Sequence, residues 1–131
     1  MEKLSVKSLQ IGDYVNYRGQ IIKVTSLYDK GGSNEVGWGI KEDTWVNADN
    51  IEPIPLIPEI LEKNGFVLKE EDVGAFGVNI APYYTRDDVP FEVFCDGDPF
   101  AIWFKEPVDI NFVHQLQNAL RLCGIEKEII L

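Results

Sequence analysis

The sequence predicts an α+β protein, in which a small N-terminal β-barrel precedes an α+β unit with an antiparallel sheet and one main C-terminal helix. Three observations predict this class. Short β-branched and aromatic runs, separated by turn residues, fill residues 9–52. An Asp-Gly pair at 96–97 separates two apolar runs, which is typical of a hairpin. Residues 109–123 carry apolar side chains at helical spacing, ahead of Gly124.

The predicted barrel comprises residues 1–55, and the predicted α+β unit comprises residues 56–131. A unit of about 55 residues buries only about 60% of its unfolded surface, so we expect the barrel to pack against the second unit. Strands are predicted in the barrel at 14–17, 20–28, 35–40 and 44–47, with a turn at Arg18 and Gly19.

The second unit begins with a proline-rich connector, residues 52–58, and a short helix over 58–64 that ends at Gly65. In the late helix, Asp109 or Asn111 is the expected cap. His114, Gln117, Asn118 and Arg121 are expected on the flank away from its apolar face. The remaining elements predicted are strands at 66–68, 76–80, 91–95, 99–104 and 125–131, an acidic turn at 69–72 and a loop at 83–88.

Charge and hydropathy exclude several classes of function. The 131 residues contain 12 Lys and Arg against 22 Asp and Glu, a net charge of −10, of which residues 56–131 carry −8. Nucleic acids and anionic membranes bind through Lys and Arg, so neither is an expected partner. The longest apolar runs, such as 100–104, are too short to cross a bilayer, and residues 1–7 do not form a signal peptide. A cytoplasmic protein is the expectation.

Few residues have the chemistry of a catalytic or metal site. Cys95 and Cys123 are predicted to be reduced core thiols. His114 is the only histidine and no Cys-x-x-Cys pair exists, so no zinc site and no cofactor are expected. His114 with Asn118 one turn later could act as a base or contact a ligand, and Cys95 could be a nucleophile with His114 as its base. A helix-surface role for His114 and a buried role for Cys95 are the favoured interpretations.

Aspartates in two turns offer an alternative cation site. The pair Asp87 and Asp88, with Asp96 and Asp98, could supply oxygen ligands. The spacing of an EF-hand is absent, and ordinary turn aspartates explain these residues better.

Aromatic side chains give the best candidate binding site. Aromatics in the barrel could line a peptide groove or an aromatic cage, although a small barrel also needs aromatics to fill its core. Two tyrosines in the predicted loop are candidates for exposed contacts, and the late helix adds two polar candidates. The candidate binding residues are Tyr14, Tyr17, Trp38, Trp45, Tyr83, Tyr84, His114 and Asn118.

Two parts of the sequence resemble known families. Residues 11–21, of pattern Ile-Gly-Asp-x-Val-x-Tyr-x-Gly-x-Ile, resemble the opening of SH3-like barrels of the KOW and Tudor type. The connector Pro-Ile-Pro-Leu-x-Pro-Glu-Ile-Leu-Glu within 50–66, and His-x-Leu-Gln-Asn at 114–118, resemble short uncharacterised bacterial, prophage and phage proteins. That family usually has Thr at the position of Ile57 and is more aromatic at 119–123. The resemblance implies a mobile-element context and no particular activity.

Three functions follow as hypotheses. The first is a non-enzymatic interaction module with a protein partner. The second is an acidic decoy that occupies a nucleic-acid-binding protein through the −8 charge of residues 56–131. The third is a small enzyme that uses His114 or Cys95, which needs both residues in one concave pocket.

Overall fold

A computed structural model of the protein describes residues 4, 8–30, 33–38, 45–69, 82–95, 98–125 and 128–131. The chain separates into two compact units, Met1–Pro55 and Leu56–Leu131. Each contains a five-stranded antiparallel sheet, and helices accompany the second, so the α+β class is confirmed. The elements are β1 Tyr14–Tyr17, β2 Gln20–Lys30, β3 Ser33–Trp38, β4 Trp45–Asn47, β5 Ile51–Glu52, α1 Pro58–Lys63, β6 Val67–Lys69, β7 Tyr83–Thr85, β8 Phe91–Phe94, β9 Phe100–Trp103, β10 Glu106–Val108 and α2 Val113–Leu122.

The sheet of the first unit has the order β4-β3-β2-β1-β5. Arg18 and Gly19 both have positive φ, 49° and 80°, and make the predicted turn between β1 and β2. The first part of β2 pairs with β1, from Gln20 opposite Tyr17 to Lys23 opposite Tyr14. The rest of β2 pairs with β3. The long strand β2 therefore joins two halves of the sheet.

A register shift between Val24 and Ser26 changes which face of β2 points inward. Ile22 and Val24 are buried, yet it is Leu27 that packs against the core beyond the shift. An extra residue in one strand reverses the alternation of its side chains. The hydroxyl of Thr25 donates to the carbonyl of Gly37 (3.2 Å), which ties the shifted segment to β3. Tyr28 consequently lies on the outer face.

The five-stranded sheet is strongly curled. A flat sheet of this width would place its edge strands, β4 and β5, about 19 Å apart. These strands are joined only by the single 3-10 turn Ala48–Asn50, and such a turn rises about 2 Å per residue. The two edges must therefore approach each other. Among the described residues no hydrogen-bonded pairing joins β4 to β5, so the predicted closed barrel is not confirmed.

The core of the first unit includes one carboxylate. Asp13 is fully buried, and its Oδ2 accepts the backbone N–H of Gln10 (2.8 Å). Its backbone also binds Val24, whose N–H donates to the Asp13 carbonyl (2.8 Å). Gly12, at φ 97°, allows the tight approach to β2. The apolar residues buried in this core are Leu4, Leu9, Val15, Ile22, Val24, Val36, Ala48 and Ile51.

The sheet of the second unit has the order β10-β9-β8-β7-β6. The predicted hairpin is confirmed by the pairing of β8 with β9, although its Asp-Gly turn lies outside the described residues. Strand β10 was not predicted. It follows a turn at Phe104 and Lys105, whose φ values of 52° and 65° suit a type I′ turn. Phe104 is therefore an exposed turn residue, and the strand predicted at 99–104 ends at Trp103.

Other predictions for this unit are corrected. The predicted loop 83–88 begins with strand β7, because Tyr84 pairs with Leu68 on one side and Val93 on the other. The predicted strand 125–131 is absent from its described residues, although Ile129 is buried. The predicted strand at 76–80 and the acidic residues 70–72 lie outside the described part of the chain.

The two helices follow the predicted spacing, but their ends differ. Helix α1 begins at Pro58 without a side-chain cap at Ile57, and Asn64 with Gly65 ends it as predicted. Helix α2 begins four residues later than predicted. Neither Asp109 nor Asn111 caps it; instead, Oε1 of Gln115 accepts the N–H groups of Asn111 (2.7 Å) and Phe112 (3.1 Å). A side chain from inside the helix therefore satisfies these amides.

Candidate functional site

The outer face of strands β2, β3 and β4 is defined by their register. Tyr28 lies opposite Glu35, and Gly37 lies between Ser26 and Trp45. Side chains directly opposite each other point to the same side of a sheet. Their neighbours Leu27, Val36 and Val46 pack in the core, so this set points outward. We call the outer surface formed by Tyr28, Glu35, Gly37 and Trp45 the Trp45 face.

A glycine allows the indole of Trp45 to lie across the middle strand. A Cβ placed at Gly37 would lie 3.4 Å from Cε3 of Trp45 and 3.1 Å from Cβ of Ser26. The indole therefore lies against the place on β3 that a side chain at position 37 would enter. The ring is still 38% exposed.

A second ring completes the Trp45 face. Tyr28 is 44% exposed, and its ring meets the indole of Trp45 at 6.4 Å between centroids with an interplanar angle of 73°. Edge-to-face contact of this kind is a preferred aromatic geometry. Glu35, which is half-buried, lies beside Tyr28 in the same row. Two exposed aromatic rings and the acidic residue Glu35 thus share one outer face.

The four aromatics predicted in the barrel do not form one groove. Tyr17 packs against the core, and the guanidinium of Arg18 lies 5.3 Å above its ring. Tyr14 is half-buried on the opposite face of β1 from Tyr17. Trp38 pairs with Val24 at the end of β3, and its side chain lies outside the described part. Strands β2 and β3 separate β1 from Trp45 in the sheet, so only Trp45 belongs to the Trp45 face.

Tyr28 and Glu35 were missed as site residues by the sequence analysis. A regular strand would place Tyr28 on the same side as Ile22 and Val24, because alternate residues share a face. The register shift at Thr25 moves it outward. The outward position of Glu35 could have been predicted from its neighbour. Val36, between Glu35 and Gly37, must face the core, and adjacent residues of a strand point to opposite faces.

The tyrosines of the second unit are not exposed loop residues. Tyr84 is buried in β7, and its hydroxyl donates to Oε1 of Glu62 in α1 (3.3 Å). Tyr83 is half-buried on the other face of the sheet, where its ring lies 5.6 Å from Phe94. Phe94 in turn stacks on Phe100 at 5.2 Å. The exposed-loop interpretation is wrong, and Tyr84 holds α1 against the sheet.

The polar residues of α2 have structural partners. His114 is 2% exposed and stacks at 6.0 Å on Phe112, so its predicted surface position is wrong. Gln117 is also buried. Asn118 is half-buried and accepts a hydrogen bond from Arg121 (2.8 Å). Within residues 114–118, His114 therefore lies in the core, Gln115 caps the helix and Gln117 is a buried amide.

The two cysteines are free thiols with raised pKa values. Burial raises the pKa of Cys95, which lies half-buried just beyond β8. Burial and the nearby carboxylate of Asp88 raise the pKa of Cys123, and Arg86 opposes this shift. A nucleophilic cysteine needs a lowered pKa, because the thiolate is the reactive form. These environments do not activate either thiol.

A groove of about 450 Å³ lies at the junction of α1 with β6 and β7. Arg86 is one of its lining residues. Two nitrogens of its guanidinium donate to the carboxylate of Asp88, and a third donates to the carbonyl of Asn64 (2.9 Å). It also lies 5.3 Å above the ring of Phe66. Arg86 thus joins the end of α1 to β7. Its charge is matched by Asp88, and we assign it a structural role.

Asn64 provides a second tie at the same junction. Its amide nitrogen donates to the carbonyls of Ile60 (2.7 Å) and Ile130 (2.8 Å), and its Oδ1 accepts the N–H of Ile130 (2.7 Å). The side chain of Asn64 therefore pairs with both backbone groups of Ile130, as a residue of a neighbouring strand does. Gly65, at φ 83°, then turns the chain into β6.

Among the described residues, no group of three or more His, Cys, Asp or Glu side chains could hold a metal ion. Asp87, Asp88 and Asp98 are exposed, and Asp96 lies outside the described part. Within the same part of the chain, no helix has the length and apolar character needed to span a bilayer. Comparison of the chain with protein families, with curated proteins and with solved structures gives no match.

Proposed function

We propose that the protein is a non-enzymatic interaction module that binds a protein partner through the Trp45 face. The observation that carries this proposal is the edge-to-face pair of Tyr28 and Trp45, which remain 44% and 38% exposed on the outer side of a sheet. Tyr and Trp are enriched in the energetically dominant parts of protein interfaces. A ring fixed over Gly37 also loses little conformational freedom on binding.

The finer architecture belongs to the same proposal. We infer that residues 1–55 form an SH3-like barrel and that residues 56–131 form the α+β unit. The meander β1 to β4, the bent strand β2 and the return of β5 to pair with β1 support this reading. Strong curling of the sheet supports it further, since closure brings the two edges together.

Affinity capture from lysate of the source cells tests the proposal. Tagged wild-type protein is compared with Trp45→Ala and with Phe104→Ala, which removes an exposed aromatic side chain from the second unit. We expect a partner in stoichiometric amounts that is lost with Trp45→Ala and retained with Phe104→Ala. Circular dichroism confirms that both variants are folded. A partner retained equally by both variants contradicts the proposal.

Salt distinguishes this function from the acidic decoy. A partner held by the many exposed carboxylates of the second unit is released as ionic strength rises, because salt screens exposed charges. The binding of such a partner is also unchanged by Trp45→Ala. A partner that is lost with Trp45→Ala and survives 0.5 M salt favours the Trp45 face.

A further inference from the structure

The Trp45 face combines the two features that recognise an organic cation. The rings of Tyr28 and Trp45 meet edge to face at 73°, so their planes are nearly perpendicular. The faces of aromatic rings attract cations, and Trp is the strongest of the three aromatic residues in this respect. Both rings retain exposed surface on the outer side of the sheet. Both rings can therefore be reached by a side chain of another molecule.

The acidic residue beside the rings favours a ligand that carries a positive charge. Glu35 lies on the central strand, opposite Tyr28 and two residues from Gly37, over which the indole lies. Glu35 therefore lies directly opposite Tyr28 and diagonal to Trp45 on this face. The whole chain carries −10, and residues 1–55 carry 6 basic and 8 acidic residues. This field repels anionic ligands and accelerates the approach of cationic ones.

We propose that the Trp45 face binds an arginine side chain presented by the protein partner. A planar guanidinium stacks on an indole and can donate two hydrogen bonds to one carboxylate. Lysine offers a compact ammonium that is more strongly hydrated, and it lacks both features. The assignment rests on the proposed function, because it names the group that the interaction surface recognises.

A peptide titration of the full chain tests the assignment. The probe is tetra-arginine, capped at both ends, and its matched control is tetra-citrulline, which has nearly the same shape without the charge. The readout is the indole N–H signal of Trp45 in a nitrogen-proton correlation spectrum, with the signal of Trp103 in the second unit as an internal reference. We expect a saturable shift of Trp45 with tetra-arginine, no shift with tetra-citrulline, and a constant Trp103.

Two carboxylate variants separate local recognition from general attraction. Glu35→Gln removes the charge without changing the shape, and we expect it to weaken binding of tetra-arginine about tenfold. Glu52→Gln removes an exposed carboxylate from β5 of the same unit and should leave binding within about twofold. Equal weakening by the two variants overturns the assignment, because it shows attraction to the overall charge alone.

The other outcomes are also decisive. Binding of tetra-citrulline as tight as that of tetra-arginine overturns the cationic ligand, and binding of tetra-lysine at equal strength overturns the choice of arginine. If tetra-arginine leaves the Trp45 signal unmoved while capture of a partner still depends on Trp45, the arginine assignment fails and the proposed function stands. If capture is also independent of Trp45, both fail.

Discussion

At the scale of single residues, Gly37 lies directly opposite Trp45 in the sheet. A Cβ at this position would come within 3.1 Å of Cβ of Ser26, which must give way by a few tenths of an ångström, and would touch the indole at 3.4 Å. We expect Gly37→Ala to lower the free energy of unfolding by about 1 to 3 kcal/mol, as overpacking does. It should also shift the indole N–H signal of Trp45.

Gly19→Ala is the matched control for this substitution. Position 19 has φ 80° and open space around it, so alanine adds backbone strain without touching Trp45. Its indole signal should remain that of the wild type. An unchanged Trp45 signal in Gly37→Ala would show that the glycine does not position the ring.

Asp13 is a buried carboxylate whose removal affects stability. Asp13→Ala leaves the N–H of Gln10 without the acceptor that it has in the native fold. A hydrogen bond to a charged group contributes about 1.5 to 3 kcal/mol, and we expect a loss of that size in urea unfolding. Asp49→Ala, on the exposed 3-10 turn, should change stability by less than about 0.5 kcal/mol. Similar losses for the two variants would contradict this role.

At the scale of elements, one glutamine determines where α2 begins. Gln115→Ala removes the acceptor for the N–H groups of Asn111 and Phe112, and we expect a loss of about 1 kcal/mol, as for other helix caps. Gln115→Glu keeps the acceptor and places a negative charge at the helix N-terminus, so it should retain wild-type stability. Thermal unfolding measures both variants. Equal melting temperatures for the alanine variant and the wild type would refute this capping role.

The junction between α1 and the C-terminal residues depends on Asn64. Asn64→Ala removes three hydrogen bonds, two of them to the backbone of Ile130. We expect a stability loss of about 2 to 4 kcal/mol and faster hydrogen exchange at the Ile130 amide. Asn64→Asp keeps the acceptor for that amide and should preserve more of its protection. Unchanged exchange at Ile130 in the alanine variant would be inconsistent with this tie.

Elements with strong local signals were predictable from sequence. Gly65 and Gly124 end the two helices, and Gly19 closes the turn before β2, because these positions need positive φ. The turn at Phe104 and Lys105 has the same backbone geometry without any glycine, so β10 could not be predicted. The pairing of β9 with β10 on either side of the turn, rather than the local preference of these two residues, accounts for that conformation.

The burial of His114 and the exposure of Tyr28 show a second limit. A helical pattern places His114 at the side of the apolar face, and only the packed structure shows that this flank is buried. The outward position of Tyr28 depends on one extra residue in β2, which a residue pattern with period two does not reveal. Trp45 alone among the predicted barrel aromatics belongs to the Trp45 face, for these reasons of register.

At the scale of the whole molecule, charge and the Trp45 face act together. The net charge of −10 disfavours anionic partners, and the Trp45 face carries the acidic residue Glu35 together with two exposed rings. The long-range field affects how fast a cationic partner arrives, while contact with the rings affects how long it stays. A partner of this protein should therefore associate more slowly at high salt and dissociate faster from Trp45→Ala.

The central claim is that the Trp45 face contacts a partner protein, and site-specific photocrosslinking tests it most directly. Benzoylphenylalanine is incorporated in place of Tyr28 in one sample and in place of the exposed Phe104 in another, and both are irradiated in lysate of the source cells. The account predicts one discrete crosslinked protein from position 28, competed by excess wild-type chain, and none of that mass from position 104. The same crosslinked protein from position 104 alone, or from both positions equally, would contradict it.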